Sequence, residues 1–456
     1  MPHHPPLDPD FVPAARWNRD YRADAARTAG SRTVHFTLAR PDGQTWTFMT
    51  PMLPDLPEHT ERNWRYAERL VKTLLWARGG SRIRVQGARE IVSRLKLAYR
   101  PEGARAFDHD FIGKTCFGEA MSIGEGRPQP RAAHAPGLSV EHNLKGCRIG
   151  FDLGGSDRKC AALIDGEVVY SEEVKWDPYF QSDPAYHLEG IRDSLQLAAA
   201  WLPRVDAIGG SAAGIYINNE PRAGSLFRGV SPEDFDRSIR GLFRQLQQEW
   251  DGVPFAVAND GDVTALAGAM SLKANAVLGI SMGTSLAAGY VDPQGEVTGW
   301  LNELAFVPVD YRDDAPSDEW SGDHGCGVQY FSQQAVARLI PASGLTVDER
   351  ASLPERLEAV QSRMAEGDER AAAIYQTIGV YFGYALAHFS DFYDFTHLLL
   401  LGRVSSGEGG RIILDQAQTV LREEFPELAA KIQLDTPDEQ MKRHGQAIAA
   451  ASLPRL

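Results

Sequence analysis

The chain has 456 residues, of which 43% are hydrophobic and 24% charged, values typical of a globular protein with more than one domain. Its four cysteines lie far apart in the sequence, a pattern that predicts reduced thiols in the cytoplasm and excludes a disulfide framework. No run of about 18 apolar residues occurs, which excludes a membrane-spanning helix, and we expect no secretory signal.

The net charge of −14 is divided unevenly along the chain. Residues 1–145 hold 22 Lys and Arg against 16 Asp and Glu, whereas the remainder holds 25 against 45. This contrast predicts a separate basic N-terminal domain on an acidic body. A small positive excess over 145 residues is more typical of an ordinary solvated surface than of a nucleic-acid site, so we do not expect nucleic-acid binding.

The N-terminal third reads as a mixture of helices and strands. Residues 1–30 are rich in Pro, Arg and Asp, and we expect a polar, weakly structured arm there. Alternating apolar residues around an Asp-Gly turn in 32–49 predict a β-hairpin. Helical spacing in 57–78 and in 88–99 predicts two helices. The proline-rich segment 126–138 is the predicted linker to the rest of the chain.

From residue 148 onwards the pattern of elements becomes regular and then repeats. The first unit has predicted strands at 149–153, 160–164, 167–174, 207–217 and 255–258, with helices at 185–202, 231–250 and 259–270. The second unit has predicted strands at 276–281, 286–291, 397–401 and near 432, with helices at 329–339, 349–364, 370–392, 410–423 and 445–451. Two units of strand meander, helix, strand and helix predict a structural duplication with a cleft between two lobes.

A glycine turn opens the first unit within the stretch 148–159. Asp152 lies at the end of an apolar strand and is followed by Gly154, Gly155 and Ser156. Such a turn lets backbone N–H groups approach phosphate oxygens, because no Cβ blocks them, and the acid can hold a hydrated Mg²⁺. A β-hairpin with a glycine turn would have the same sequence, so the stretch alone leaves both interpretations open.

A second turn of this type, Gly283-Thr284-Ser285, opens the second unit, and Asp260 lies between the two turns. Asp260 follows a predicted strand and stands at a predicted helix N-terminus, where the helix dipole favours the carboxylate. An ionised Asp at that place can remove a proton from a substrate hydroxyl. Asn259 or Asp260 could equally be an ordinary helix cap. The two glycine-hydroxyl turns favour the catalytic interpretation.

Four motifs together resemble the ROK family of sugar kinases, which belongs to the actin/hexokinase superfamily. They are Phe151-Asp152-Leu153-Gly154-Gly155-Ser156, Ala258-Asn259-Asp260, Ser281-Met282-Gly283-Thr284 and Leu401-Gly402. The resemblance covers residues 147–456. It implies an α/β fold, a two-lobed, ribonuclease H-like duplication with mixed sheets, to which an N-terminal α/β appendage is added.

The same resemblance implies domains and site residues. The domains would be the basic appendage 1–145, a first lobe 146–270 and a second lobe 271–456, with the last helix returning to the first lobe. Asp260 would be the general base and Asp152 would hold Mg²⁺ through water. The sugar would contact Asn259, Glu303 and Gly214. The predicted nucleotide-binding residues are Gly154, Gly155, Ser156, Lys159, Gly283, Thr284, Ser285 and Gly402.

The chain departs from the ROK pattern at the sugar and zinc motifs. The histidine that in the family binds both sugar and a structural zinc is replaced by Phe306, and a further sugar-binding glutamate is replaced by Val328. The zinc loop retains His324 and Cys326, whereas a structural zinc site needs about four ligands. We therefore expect no bound zinc.

The leading hypothesis is an ATP- and Mg²⁺-dependent sugar kinase that acts on a hexose or amino sugar as a cytoplasmic homodimer. A sugar-responsive transcriptional regulator is a second hypothesis, with residues 88–95 as a faint candidate for a recognition helix. A non-catalytic sugar-binding relative is a third, because of Phe306 and Val328. The sequence leaves the sugar and the role of residues 1–145 open.

Overall fold

The computed structural model describes residues 3–126, 138–139, 144–436 and 439–456. The N-terminal region forms a four-stranded sheet with helices packed against it. Its elements are α1 (Ala14–Arg27), β1 (Arg32–Ala39), β2 (Thr45–Met52), α2 (Thr60–Arg78), β3 (Arg82–Gln86), α3 (Arg89–Ala98), α4 (Ala106–Asp108), a π-helix (His109–Cys116) and β4 (Ser122–Glu125). The strand order in the sheet is β2-β1-β3-β4. The predicted hairpin and both predicted helices are present, whereas residues 127–137 of the predicted linker lie outside the described residues.

The prediction of a weakly structured arm over residues 1–30 is wrong. Residues 14–27 form α1, which buries Ala15, Tyr21 and Ala25 on one face. Tyr21 stacks on Tyr66 of α2 with ring centroids 4.3 Å apart. The small and aromatic residues recur at helical spacing among the charges, and tertiary packing of that stripe orders the segment.

The first lobe contains a five-stranded mixed sheet. Its elements follow β5 (Leu138–Ser139) and are β6 (Cys147–Leu153), β7 (Asp157–Ile164), β8 (Glu167–Lys175), α5 (Pro184–Ala199), β9 (Ala207–Ala212), β10 (Ile215–Ile217), β11 (Glu220–Ala223), α6 (Pro232–Asp234), α7 (Leu242–Glu249), β12 (Phe255–Asn259) and α8 (Asp260–Leu272). The strand order in the sheet is β12-β9-β6-β7-β8. Two predictions need correction. The strand predicted over 207–217 breaks at Gly214, whose φ is +130°, and the helix predicted over 231–250 is interrupted by a π-helix at Phe235–Ile239.

The second lobe repeats this topology in a six-stranded sheet. Its elements are β13 (Val277–Met282), β14 (Leu286–Val291), β15 (Glu296–Val297), α9 (Gln333–Ser343), α10 (Leu353–Ala365), α11 (Glu369–Phe389), β16 (His397–Leu401), α12 (Gly407–Glu424), α13 (Pro426–Lys431), β17 (Gln433–Asp435) and α14 (Glu439–Ala451). The strand order in the sheet is β17-β16-β13-β14-β15-β5. In both lobes an antiparallel meander is joined by two parallel strands on the other side of its first strand. The predicted duplication with mixed sheets is confirmed.

The last helix, α14, packs on strands β6 and β9 of the first-lobe sheet. Two glycines permit this approach. A Cβ on Gly150 would lie 1.8 Å from the carbonyl oxygen of Ala447, and a Cβ on Gly209 would lie 1.7 Å from that of Ala450. The backbones of the helix and the sheet are therefore in direct contact.

The division of the chain into three domains, with boundaries at residues 145 and 270, stays a prediction.

The N-terminal region and the second lobe share one hydrophobic core, whereas the first lobe has its own. Phe11 packs on Tyr381 with ring centroids 4.6 Å apart, and Phe48 stacks on Phe392 at 5.4 Å. In addition, Arg312 forms a half-buried ion pair with Asp8. The N-terminal region is thus built into the second lobe. Among the described residues, none of the helices is long and apolar enough to cross a bilayer.

Candidate functional site

Asn259 and Gly214 lie together where the first-lobe sheet ends. Asn259 is the N-cap of α8, and its Oδ1 accepts a hydrogen bond from the Gly261 N–H at 2.7 Å. Its Nδ2 donates to the carbonyl oxygen of Gly214 at 2.6 Å. A side chain at position 214 would place its Cβ 2.3 Å from the carbonyl oxygen of Ala223. The cap and the glycine therefore hold each other in a fixed position.

Asp260 begins α8 directly after this cap. The Gly261 N–H donates to its Oδ1 at 2.9 Å, which favours the carboxylate. Burial has the larger effect and raises the pKa of Asp260 above its usual value. Desolvation therefore disfavours the charged form of Asp260 more strongly than this hydrogen bond favours it. A carboxylate with a raised pKa is a stronger base than an exposed one.

Asp152 lies at the end of β6 and is 5% exposed. Its Oδ1 accepts a hydrogen bond from the hydroxyl of Ser211 at 2.6 Å. Burial raises the pKa of Asp152 to about 6; the hydrogen bond from Ser211 opposes this rise, as does the positive charge of Lys159, whereas the negative charge of Asp260 adds to it. Lys159 is the cross-strand partner of Asp152 in the β6–β7 ladder. The structure therefore brings two predicted site residues, Lys159 and Asp260, within electrostatic range of a third, Asp152.

Glu303 belongs to a second-lobe loop that is held by the N-terminal region. The Glu303 N–H donates to the carbonyl oxygen of Trp76 at the C-terminal end of α2, at 3.0 Å. The Asn302 N–H donates likewise to Ala77 at 3.1 Å. Burial, with the negative charges of Asp260 and Asp262, raises the pKa of Glu303 to about 8. Glu303 thus lies within electrostatic range of the candidate base, Asp260.

Asp262, one helical turn from the cap, was not singled out from the sequence. Its Oδ1 accepts hydrogen bonds from the Asn302 side chain at 2.7 Å and from the Tyr290 N–H at 3.2 Å. Burial raises the pKa of Asp262 to about 7, although these two hydrogen bonds act to lower it. The signal was present in the sequence as the second acid of Asn259-Asp260-Gly261-Asp262. The carboxyls of Asp260, Asp262 and Glu303 together form an acidic cluster.

The first glycine turn is only partly available to a phosphate. The Gly154 N–H donates to the Asp157 carbonyl oxygen at 2.9 Å, and the Ser156 hydroxyl donates to the Asp157 carboxylate at 2.8 Å. A Cβ on Gly155 would lie 2.0 Å from the Tyr179 hydroxyl oxygen. Among the described residues, the Gly155 and Ser156 N–H groups have no acceptor. These two amides, rather than Gly154, are the donors the turn offers to an anion.

The second glycine turn contacts the Gly402 loop. The Gly283 N–H donates to the carbonyl oxygen of Ser285 at 2.9 Å, and the side chains of Thr284 and Ser285 are exposed. A Cβ on Gly402 would lie 2.4 Å from the carbonyl oxygen of Met282, and its φ is +98°. Only glycine fits there. Gly402 also lines a cavity of about 640 Å³ between the end of β16 and α12.

The loop with His324 and Cys326 is held by a buried lysine. Lys72 of α2 is fully buried, and its Nζ lies 2.8 Å from an Asp323 carboxylate oxygen and 3.5 Å from one of Asp108. His324 instead bonds through Nδ1 to the carbonyl oxygen of Ala315 at 2.7 Å. Within the described ranges, no group of three or more His, Cys, Asp or Glu side chains is placed to hold a metal ion.

The geometry invites comparison with known proteins. No protein-family model matches the sequence, and a search of curated proteins finds no match. Solved structures do match. The ROK hexokinase of Thermus thermophilus aligns with a TM-score of 0.53 and 18% identity over 68% of this chain and 97% of that one.

Two further structures bear the same family name. A ROK family transcriptional regulator, a homologue of the Escherichia coli MLC protein, gives a TM-score of 0.51 with 22% identity over 68% of this chain and 78% of that one. The chain has the fold of the ROK family. A ROK family protein from Streptococcus pneumoniae, solved in complex with sucrose, gives 0.50 with 12% identity over 67% and 96%. At such identities the ROK fold is established, and the activity has to be inferred from the site.

Proposed function

We propose that this protein is a sugar kinase, which transfers the terminal phosphoryl group of ATP to a sugar hydroxyl with Asp260 as general base. The observation that carries the proposal is the place of Asp260. It begins α8 directly after Asn259, within electrostatic range of both Asp152 and Glu303. The ROK fold of the chain, which it shares with a hexokinase, agrees with this function.

The proposed sugar site lies around Asn259, Gly214 and Glu303. The Asn259 side chain and Gly214 face a cavity of about 210 Å³. Amide and carboxylate groups are suitable partners for sugar hydroxyls, because they accept and donate hydrogen bonds in fixed directions. In this proposal Glu303, with a pKa raised to about 8, is mostly protonated near neutral pH and can donate as well as accept.

Asp260 would act on the hydroxyl that attacks phosphorus. Its carboxylate accepts the hydroxyl proton as the oxygen–phosphorus bond forms, and the raised pKa strengthens it as a base. Such proton transfers contribute about 10²–10⁴-fold to rate. The remaining catalysis in phosphoryl transfer is positioning and charge neutralisation, which suits a site with a single base.

The residues of the first turn suit a magnesium-bound phosphate. Asp152 presents one carboxylate oxygen beyond its bond to Ser211, and Lys159 adds a positive charge beside it. The N–H groups of Gly155 and Ser156, which have no acceptor within the described part of the chain, would hold phosphate oxygens. When bound, Mg²⁺ neutralises phosphate charge. Gly283, Thr284 and Ser285 would hold further phosphate oxygens, and the cavity beside Gly402 would take the adenosine.

The test is a substrate panel. Hexoses, amino sugars and sugar acids are each incubated with ATP and Mg²⁺, and ADP release is followed with a sugar-free control. Sugar-dependent ADP release with at least one compound is the expected result. If every compound fails while calorimetry shows that sugars bind, the protein is the non-catalytic sugar-binding relative instead, which Phe306 and Val328 would explain.

A second candidate function is transcriptional regulation, because a regulator shares the fold at a TM-score of 0.51. The proposed recognition helix would be α3. Its Ile91, Val92 and Leu95 are buried, and Arg94 is paired with Glu61. A salt-dependent gel shift with genomic DNA fragments distinguishes the two functions, since a specific shift would favour the regulator. Location in the cytoplasm and assembly as a homodimer stay predictions.

A further inference from the structure

The cavity beside Asn259 has walls from three parts of the chain. The first lobe supplies Asn259 and residues 214–219, and the second lobe supplies residues 297–301. The third wall is the turn of the N-terminal β1–β2 hairpin, with Arg40, Asp42 and Gln44. At about 210 Å³ the cavity is smaller than the about 300–1,000 Å³ typical of drug-sized ligands, so it suits a monosaccharide.

Arg40 is held rigidly in this wall. It is 4% exposed, and its guanidinium carbon lies 4.9 Å from the centre of the Trp46 ring and 5.4 Å from that of Phe117. Its Nε donates to the carbonyl oxygen of Gly79 at 3.3 Å, and its Nη2 donates to that of Arg78. Both acceptors are neutral backbone groups at the C-terminal end of α2.

The charge of Arg40 has no close counter-ion. Among the described residues, no carboxylate oxygen lies within the 4.0 Å of an ion pair with Arg40, and its Nη1 donates no hydrogen bond. Asp262 and Asp42 attract it from farther away, but burial prevails and lowers the pKa of Arg40 to about 10, so it stays charged at neutral pH. A buried charge without a partner is costly, and a buried guanidinium is a strong bidentate donor for a carboxylate or phosphate.

Two carboxyls and several neutral side chains also line the cavity. The carboxyls are Asp42 and Asp262, and burial raises the pKa of Asp262 to about 7. Asn259, Asn218, Gln44 and Thr298 are neutral hydrogen-bonding side chains suited to hydroxyl groups. The cavity therefore contains one cation, Arg40, that has no counter-ion within ion-pair distance among the described residues. It also contains several side chains that can form hydrogen bonds with hydroxyl groups. A ligand that satisfies both is a hydroxylated molecule with one negative group.

We propose that Arg40 is a substrate-binding residue and that the cavity takes an acidic sugar, whose carboxylate or phosphate accepts from the Arg40 guanidinium. This inference rests on the proposed kinase function and gives it a substrate class. It also gives the N-terminal region a role, because Arg40, which would bind the anionic group, belongs to that region. The sugar hydroxyls face Asn259 and the first lobe.

The experiment compares neutral and acidic sugars on the full chain. Binding of glucose, glucuronate, gluconate and glucose 6-phosphate is measured by isothermal titration calorimetry, and ADP release by each is measured with ATP and Mg²⁺. An acidic sugar should bind at least tenfold more tightly than glucose. Whether a sugar carboxylate or the sugar phosphate binds more tightly then identifies the preferred anionic group. Arg40→Gln should lose at least tenfold in affinity for the acidic sugar and less than threefold for glucose. Arg40→Lys, which keeps the charge, should recover part of that loss.

Arg192→Gln is the matched control, because Arg192 forms an exposed ion pair with Glu249 on the first lobe, and it should leave both affinities unchanged. Equal binding of glucose and the acidic sugars by the unaltered protein, or equal losses for both in Arg40→Gln, would overturn the inference. That result is distinct from failure of the kinase proposal. In the latter case acidic sugars would bind through Arg40 without any ADP release.

Discussion

Trp76 of α2 stacks on Phe306 with ring centroids 4.1 Å apart and an interplanar angle of 26°. The carbonyl oxygen of the same Trp76 accepts a hydrogen bond from the N–H of Glu303. One residue of the N-terminal region thus supports both the ring at the atypical position 306 and the backbone of a proposed sugar ligand. The N-terminal region is therefore part of the framework of the site.

The buried ion network around Lys72 should be essential for stability. Removing the ammonium leaves Asp108 buried without its cation, whereas Asp323 keeps its ion pairs with Arg69 and Arg105. Breaking a buried ion pair costs about 3–5 kcal/mol. We expect Lys72→Met to lower the free energy of unfolding by that amount in urea denaturation. Lys431→Met is the control, because its pair with Asp394 is exposed and such pairs contribute about 0–1 kcal/mol. Equal effects of the two substitutions would contradict this account.

Glu303 should make stability depend on pH. Burial and the negative charges of Asp260 and Asp262 raise its pKa from 4.5 to about 8, so between these values the folded protein keeps a proton that the unfolded chain has released. This carboxyl therefore lowers the free energy of unfolding progressively as the pH rises through that window, and its unfavourable effect is complete above about pH 8.

Glu303→Gln removes this dependence. We compare the free energy of unfolding of Glu303→Gln with that of the unaltered protein at each pH. The difference, variant minus unaltered protein, should increase by at least about 1.4 kcal/mol, the equivalent of one pKa unit, from about pH 5 to pH 8.5. Denaturation at both pH values measures it. The exposed Glu358 of α10 provides the control, and Glu358→Gln should show no such rise. A difference that is the same at both pH values would show that Glu303 is not perturbed in this way.

Gly150 should be irreplaceable beneath α14. A methyl group there would meet the carbonyl oxygen of Ala447 at 1.8 Å, and the helix backbone cannot give way without leaving the sheet. We expect Gly150→Ala to destabilise the protein by about 1–3 kcal/mol, as overpacked cores are. Gly241→Ala, with no atom within 4 Å of the new methyl group, is the control. Similar melting temperatures for the two variants would refute close helix–sheet contact.

The repeated lobes were predictable from sequence because their signals are local. Apolar strands such as β6 and β13 are bounded by glycine turns, and the two strand meanders recur in the same order. The break at Gly214 was not predictable, because it depends on the distant carbonyl of Ala223. The helix at residues 14–27 was not predicted for the same reason, since α1 is stabilised by packing on Tyr66 and on the second lobe.

The candidate site was predicted unevenly. Asp260, Asn259 and Asp152 belong to contiguous motifs, so local sequence identified them. Arg40 was passed over because its motif is only that of a hairpin turn, and its proximity to Asn259 arises from contacts between regions more than 200 residues apart. The interpretation of the first glycine turn also changed, because Asp157 accepts hydrogen bonds from the Gly154 N–H and from the Ser156 hydroxyl.

The role of Asp260 as general base is tested most directly by phosphorylated-sugar formation with the best substrate of the panel. The Asp260→Asn variant is compared with the unaltered protein and with Asp251→Asn, a substitution at an exposed turn residue. We expect a loss of about 10²–10⁴-fold in the rate of product formation for Asp260→Asn, with ATP affinity kept and Asp251→Asn unaffected. Product formation by Asp260→Asn within twofold of the unaltered protein would contradict the account.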